Sequence, residues 1–221
     1  YIMAAHFENI NDNDKKVLLY MGSFIVTHTL LSHGSIREKL LNAIGGQQYF
    51  AGFYSVITFA TLGPATYLYY SRTKGTGETV PFLANNSSLY AKIGIFLAMN
   101  AAAHLPLLGS GKFTEPGMDI KDIRFRGVLR ITRHPLFWTF ALFSGSQILR
   151  GQKWSDVYFH LPMIIEALLG ALHQDARLRQ VYPAEFYEKS SWLPMGAVLA
   201  GKQSLSEAHK EIGPVRMGVA A

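Results

Sequence analysis

Five apolar runs are the feature of this sequence that most restricts what it can fold into. The hydrocarbon core of a bilayer is about 30 Å thick and requires roughly 20 helical residues to cross. The runs cover residues 17–32, 48–70, 89–109, 133–149 and 154–173. Within lipid, a helix satisfies all its backbone hydrogen bonds inside one segment. We therefore predict an all-α, polytopic membrane helix bundle with about five transmembrane helices.

The composition agrees with a membrane protein. Only 16% of the 221 residues are charged and 49% are hydrophobic, whereas soluble domains carry about 25% charged residues. Cysteine is absent, which excludes disulfides, thiolate nucleophiles and cysteine metal sites. Neither an internal repeat nor a low-complexity tract divides the chain. We therefore predict a single transmembrane domain over residues 1–221.

Positive charge is distributed unevenly between the two sides of the predicted bundle. Of the 21 Lys and Arg residues, six precede or follow spans on the side of the N-terminus and fourteen lie on the opposite side. The positive-inside rule then puts the C-terminus in the cytoplasm, stroma or matrix. No short basic run with interleaved aromatic residues occurs, so we expect no nucleic-acid binding. The apolar stretch 190–201 is too short to span, and we expect it to lie at the membrane interface or to re-enter.

Four histidines occur at span ends that the predicted topology brings to one membrane face: His28, His104, His134 and His173. Neutral imidazole nitrogens from separate helices are suited to hold a haem iron or another metal. The alternative is that each ring only reaches out to the lipid headgroups. We treat His28, His134 and His173 as candidate haem or pigment ligands, and we expect no metal other than a haem iron.

Ionisable residues at membrane depth are costly, so they usually face a bundle interior. Glu166 lies in the middle of the fifth run, and we interpret it as a pocket residue, with a helix-packing hydrogen bond to Gln147 or Ser144 as the alternative. Arg130 and Arg133 precede the fourth run. We expect them to act as anchors at the membrane face, paired with lipid phosphate or with an acid such as Asp175 or Glu185.

Three blocks of the sequence together resemble the NnrU-like membrane proteins, which include the plant and cyanobacterial 15-cis-zeta-carotene isomerases. The first, "HTLLSHGSIREKLLNAIGGQQYFAGFYSVITFATL", has His28, Arg37, Gly45 and Tyr49 at the family's spacing. The second, "GVLRITRHPLFWTFALF", is similar to the family's Arg-x-Thr-Arg-His-Pro signature at the start of a helix. The third is the C-terminal block "LHQDARLRQVYPAEFYEKSSWLPMGAVLAGKQSL". The resemblance covers about residues 17–210.

The resemblance implies a membrane protein and, for the isomerase branch, a haem b whose iron redox state permits rotation about a cis double bond. His28 corresponds to a family ligand, and Arg37 joins the membrane-face anchors. Thirteen residues after His134 the family commonly has a second histidine, but this sequence has Gln147. An amide is a poor haem ligand, so we list Gln147 as a pocket residue and expect the isomerase chemistry to be lost or altered.

Three functions remain open at this stage. The first is a non-catalytic accessory subunit of a photosynthetic complex in a plastid thylakoid or envelope membrane. It would contact lipid, other membrane subunits and a carotenoid, chlorophyll or other hydrophobic polyene. The second is an active haem-dependent 15-cis-zeta-carotene isomerase. The third is a membrane methyltransferase of the isoprenylcysteine type, because those enzymes share a similar Arg-His-Pro tripeptide.

Overall fold

The computed structural model describes residues 10–83, 87–104, 127–180 and 182–212. Throughout these residues the protein is helical and has no β-strand, only an isolated bridge between Thr79 and Lys153. The α-helices are α1 (Asp12–Ser32), α2 (Gly34–Ile44), α3 (Gln47–Leu68), α4 (Ser87–His104), α5 (Pro135–Gly151), α6 (Trp154–Leu178), α7 (Ala184–Lys189), α8 (Gly196–Leu199) and α9 (Leu205–Ile212). The all-helical prediction is confirmed for this part of the chain.

Short-range sequence features explain several helix ends. The Asn11 side chain accepts a hydrogen bond from the Asp14 backbone N–H at 2.9 Å, which satisfies one of the unpaired donors at the start of α1. Helix α2 ends at Gly45, where φ is +97°. Glycine adopts this left-handed conformation without steric cost, so it is suited to a sharp reversal between α2 and α3. Pro64 lies inside α3, which continues to Leu68 and then widens into a π-helical turn, Tyr69–Thr73.

Each of the five predicted spans corresponds to a helix, but membrane crossing is a separate question. Among the described helices, α6, with 25 residues, is the one that is both long and apolar enough to cross a membrane. Helix α5 has 17 residues, and α1 opens with charged side chains. The third run extends past His104 into residues that lie outside the described part of the chain. Core helices of soluble proteins share the properties of α6, so the five spans stay a prediction.

The described residues divide into two compact units. The first unit comprises the described residues within 1–91 and 144–166, and the second comprises those within 92–143 and 167–221. Helices α5 and α6 therefore contribute to both. In the first unit, α1 presents Val17, Met21 and Phe24 on one face, at the spacing expected for a helix. These side chains pack against Ala65, Tyr69 and Phe159 to form a buried apolar core.

A buried carboxylate fixes the start of α6 within the first unit. Asp156 is 2% exposed and accepts a hydrogen bond from the Tyr69 hydroxyl at 2.7 Å. Its second oxygen lies 3.3 Å from the backbone nitrogen of Lys153. A buried carboxylate is tolerated only when such donors replace water. The contact therefore ties the π-helical turn after α3 to the first turn of α6.

The second unit has a smaller core around the C-terminal helices. Leu178, Tyr182 and Phe186 form a buried cluster, against which Tyr187 packs. After α7 the chain forms the segment that we call the C-terminal apolar loop, residues 190–201, which contains the short helix α8. Gly201, with φ of +71°, ends this helix, and the following Lys202 N–H bonds to Ala197 O at 2.8 Å. The loop therefore has a defined conformation.

Candidate functional site

A group of charged side chains lies buried at the start of α5 and consists of Arg133, His134 and Asp175; we call it the Arg-His-Asp cluster. Arg133 Nε and Nη2 donate to the two carboxylate oxygens of Asp175 at 2.8 and 2.6 Å. His134 Nε2 lies 2.5 Å from Asp175 Oδ1. The side chains of Arg133, His134 and Asp175 are 8%, 0% and 11% exposed. Two parallel bonds from one guanidinium to one carboxylate make a strong and directional pair.

The second ring nitrogen of His134 is also occupied. Nδ1 lies 2.8 Å from the side-chain oxygen of Gln174. Because a carboxylate only accepts, Nε2 donates to Asp175. In a neutral ring, Nδ1 then accepts from the amide group of Gln174, whose oxygen and nitrogen exchange places by rotation. Whether the ring is neutral or protonated, this arrangement leaves His134 no lone pair for a metal or a haem iron.

The residues around His134 explain the Thr-Arg-His-Pro order. The Thr132 hydroxyl donates to Trp192 O at 2.9 Å and accepts from the His134 backbone N–H at 3.2 Å. The Arg133 backbone N–H bonds to Ser191 O at 3.0 Å. Pro135 is the first residue of α5, a position where the missing N–H costs no intrahelical hydrogen bond. The motif therefore joins the start of α5 to the C-terminal apolar loop.

Arg130, the first arginine of the same motif, pairs with the C-terminal helix α9. Its Nε and Nη2 atoms donate to the Glu211 carboxylate at 2.9 and 2.8 Å, and Nη1 donates to Gln203 Oε1 at 2.9 Å. The hydrogen bond to Glu211 raises the pKa of Arg130 above its ordinary value. Both arginines of the motif thus bond to carboxylates from the C-terminal part of the chain.

Tyr187, on α7, lies between two guanidinium groups. Arg133 and Arg179 lie 5.2 and 4.7 Å from the centre of its ring, within the range of cation–π attraction. Burial is the main reason that the pKa of Tyr187 rises to about 12. The ring of Tyr187 contributes an apolar wall to the Arg-His-Asp cluster.

The first unit contains a separate polar group inside its helices. The ring of His28, on α1, packs against Phe24 and Tyr54 in tilted arrangements, with ring centres 4.8 and 4.3 Å apart. Its Nδ1 lies 3.4 Å from the Thr58 hydroxyl, which itself donates to Tyr54 O at 2.9 Å. Since a hydroxyl has one proton, Nδ1 is the donor in the contact with Thr58. Nε2 then carries the lone pair and bonds to no residue that the structure describes.

Glu166, on α6, belongs to the same unit and is 7% exposed. The Thr29 hydroxyl donates to its carboxyl group at 3.3 Å. Thr29 follows His28 directly in α1, so α1 and α6 face each other at the level of His28. Gln147, on α5, is half-buried in the same unit, and no bond from its amide to Glu166 is present. The helix-packing partner of Glu166 is thus Thr29 rather than Gln147 or Ser144.

A family model described as "NnrU protein" matches residues 17–216. The match extends over most of the chain and over both structural units. The chain belongs to the NnrU family. No curated protein and no solved structure matches it significantly. The predicted family resemblance is thereby confirmed, and the Arg-His-Asp cluster and the His28 group are features of an NnrU-family protein.

The structure distributes the three candidate ligands of this NnrU-family protein over the two units. His28 lies in the first unit, whereas His134 and His173 lie in the second. In the first unit Gln147 stands where the family commonly has histidine, and in the second His134 is fully engaged. Within neither unit, taken by itself, do these three candidates provide two histidine nitrogens that are free to bind iron. In the described residues, no group of three or more His, Asp or Glu side chains is arranged to hold a metal ion.

Sequence reasoning missed several functional contacts. Arg133 does pair with Asp175, one of the partners that the sequence offers, but Gln174 and Glu211 were not recognised. Gln174 was detectable in principle because it lies between His173 and Asp175 in the C-terminal block. Arg37, the third predicted anchor, bonds to Gln47 Oε1 at 2.5 Å and lies 5.4 Å from the Phe50 ring centre. It therefore contacts the first turn of α3.

Proposed function

We propose that this NnrU-family protein is a membrane-embedded accessory subunit of a photosynthetic complex in a plastid thylakoid or envelope membrane. In this proposal it performs no haem-dependent isomerisation and contacts lipid, neighbouring helices and a carotenoid, chlorophyll or other polyene. The C-terminus lies on the stromal or cytoplasmic side, as the positive-inside rule predicts. Family membership is the basis for the link to carotenoid biology, and that link is an analogy at the level of the family.

The hydrogen bonding of His134 is the observation that carries this proposal. A histidine that ligates iron must present an unprotonated nitrogen, and both nitrogens of His134 are bonded to side chains of α6. Asp175 in turn joins His134 to Arg133. The buried histidine of the family signature therefore supports the fold by connecting the start of α5 to α6. This role favours a structural rather than a catalytic member of the family.

Exposed apolar faces support the membrane setting. Leu19, Val26 and Leu30 lie on one side of α1 at helical spacing, and each is more than half exposed. On α3, Val56 and Phe59 are 66% and 77% exposed. Soluble monomers rarely expose continuous apolar patches of this kind. Such faces require either lipid or the apolar helices of another protein as their surroundings.

Small residues on the same faces support a partner among membrane helices. At Gly22 on α1 and Gly52 on α3, an added Cβ would meet no atom within 4 Å. Both glycines therefore face outward. Such residues allow helices to approach closely in membranes, where close packing takes the place of the hydrophobic driving force. The sequence also places small residues along α4, from Gly94 to Ala103, but the structure does not describe the side chains of residues 98–104.

We expect the protein in membranes solubilised with a mild detergent to migrate in native electrophoresis as part of a larger complex with pigment. The same preparation treated with a harsh ionic detergent is the control and should release the chain of 24.6 kDa. Migration in mild detergent only as a free chain in its micelle, with neither pigment nor other subunits, would refute the accessory-subunit proposal.

A haem-dependent 15-cis-zeta-carotene isomerase is the second candidate, and the tautomer of His28 favours it. Its Nε2 is unprotonated and carries a lone pair, which is the state that a histidine would need in order to hold a haem iron. The discriminating assay incubates the purified protein, oxidised or reduced, with 15-cis-zeta-carotene. Conversion that requires His28 would establish this candidate in place of the accessory subunit.

A further inference from the structure

The C-terminal apolar loop, residues 190–201, exposes large apolar side chains although its conformation is well defined. Leu199 is 83% exposed and Leu193 is 55% exposed. Exposed leucines are ordinary in a mobile tail, but here the backbone is held firmly. The exposure is therefore built into the fold and calls for an apolar environment.

Several hydrogen bonds hold the loop against the start of α5. Besides the bonds of Thr132 and Arg133 described above, the Met195 N–H bonds to Ile131 O at 2.9 Å. The Trp138 indole N–H bonds to Trp192 O at 2.9 Å. Met195 itself has φ of +67°, a left-handed conformation that a non-glycine residue keeps only when its surroundings hold it.

An exposed apolar stripe runs along α5 from the end to which the loop is hydrogen-bonded. Leu136, Phe140 and Phe143 recur at helical spacing and are each at least 39% exposed. Leu136 lies in the first turn of α5, directly after the residues that bind the loop. The loop therefore lies at the end of this stripe, which is the level of the membrane interface if α5 is embedded in lipid.

Charge next to the loop matches a phospholipid headgroup. Lys202 follows the loop directly, is exposed, and makes no ion pair with any residue that the structure describes. A lysine beside apolar side chains extends its ammonium group to the phosphate level while the apolar atoms remain in lipid. Such a cation near an anionic surface adds to the electrostatic attraction between the protein and the membrane.

We propose that the C-terminal apolar loop inserts into the acyl region of the bilayer surface, with Leu193 and Leu199 as the inserted side chains and Lys202 bound to an anionic lipid phosphate. This inference rests on the proposed membrane embedding and names the lipid contact of the second unit. The loop thereby fixes the depth of α5 in the membrane through the hydrogen bonds of Thr132 and Arg133.

The absence of cysteine allows a direct test in the intact chain. Single-cysteine variants Leu193→Cys and Leu199→Cys, with Glu188→Cys and Ser206→Cys as exposed controls in the same unit, are spin-labelled and reconstituted in vesicles that contain phosphatidylglycerol. We expect the ratio of collisions with oxygen to collisions with a water-soluble nickel chelate to be several-fold higher at the two loop positions. Lys202→Glu should lower this ratio at position 199, whereas Lys210→Glu should not.

Two outcomes would overturn the inference. A ratio at both leucines equal to that of the controls would show that the loop lies in water. Low collision rates with both reagents would show that protein covers the leucines. Extraction of the vesicles at alkaline pH distinguishes failure of this inference from failure of the proposed function. A chain that stays in the membrane is embedded, as the proposed function requires. A chain that is released refutes the membrane embedding itself.

Discussion

Replacement of Asp175 by alanine is expected to destabilise the protein more than any other single loss of a charge among the contacts described. The substitution would leave the Arg133 guanidinium and the His134 ring buried without the carboxylate that both contact. Removal of one partner from a buried ion pair typically costs about 3–5 kcal/mol, because the remaining charge is left unsatisfied. Thermal unfolding in detergent, followed by circular dichroism, measures the effect.

Glu185→Gln is the matched control for this experiment. Glu185 also belongs to the second unit and pairs with a cation, Lys189, but both side chains are exposed. Exposed ion pairs contribute little because water and salt screen them, so we expect no measurable change in the midpoint. If Asp175→Ala unfolds at the same temperature as Glu185→Gln, the Arg-His-Asp cluster does not support the fold and the structural role assigned to His134 is wrong.

A methyl group at Gly151 is expected to disrupt the first unit. A Cβ at this position would overlap the carboxylate of Asp156, which is buried and bonded to the Tyr69 hydroxyl. Asp156 cannot move away without loss of that bond. A hydrogen bond to a charged group contributes about 1.5–3 kcal/mol, and overpacking of a buried site costs about 1–3 kcal/mol more. The midpoint of thermal unfolding of Gly151→Ala should therefore fall sharply.

Two further variants test the cause of this effect. Gly22→Ala is the control, because a Cβ there meets no atom within 4 Å; it should be neutral or slightly stabilising, since alanine favours a helix over glycine. Tyr69→Phe removes only the hydrogen bond, so it should produce a part of the loss seen in Gly151→Ala. The double variant should lose less than the sum, because both changes act on the same bond. If the losses of stability in the two single variants add fully in the double variant, Gly151→Ala acts by another route than the bond between Tyr69 and Asp156.

The hydrophobicity and length of the apolar runs were sufficient to predict the long helices, since each of the five runs overlaps with one. The same reasoning missed α2, because its eleven residues are polar as well as apolar and no residue of it is buried. It also ended the fifth helix early, at His173 instead of Leu178. Gln174 and Asp175 lie near the end of α6. Hydropathy does not reveal that the helix continues through such polar residues. In the structure, Arg133 and His134 supply their hydrogen-bond partners.

The candidate site was predictable only in part. Arg133 and His134 were recognisable from the Arg-His-Pro signature, and an acid was expected as their partner. The rotation of α6 about its own axis decides whether Gln174 faces α5. Only in the observed rotation do both ring nitrogens of His134 find hydrogen-bond partners. No local pattern encodes this rotation, because side chains about forty residues apart produce it through packing. The convergence of histidines on one membrane face stays a prediction.

The absorption spectrum of the purified protein, oxidised and reduced, tests the central claim most directly. We predict no stoichiometric Soret band, because His134 is hydrogen-bonded at both nitrogens and Gln147 replaces the family histidine. Gln147→His supplies a second imidazole to the unit that contains His28, and it is expected to gain haem absorption when haem is provided. A strong Soret band in the unmodified protein that disappears in His28→Ala would contradict the account and establish the haem-dependent isomerase instead.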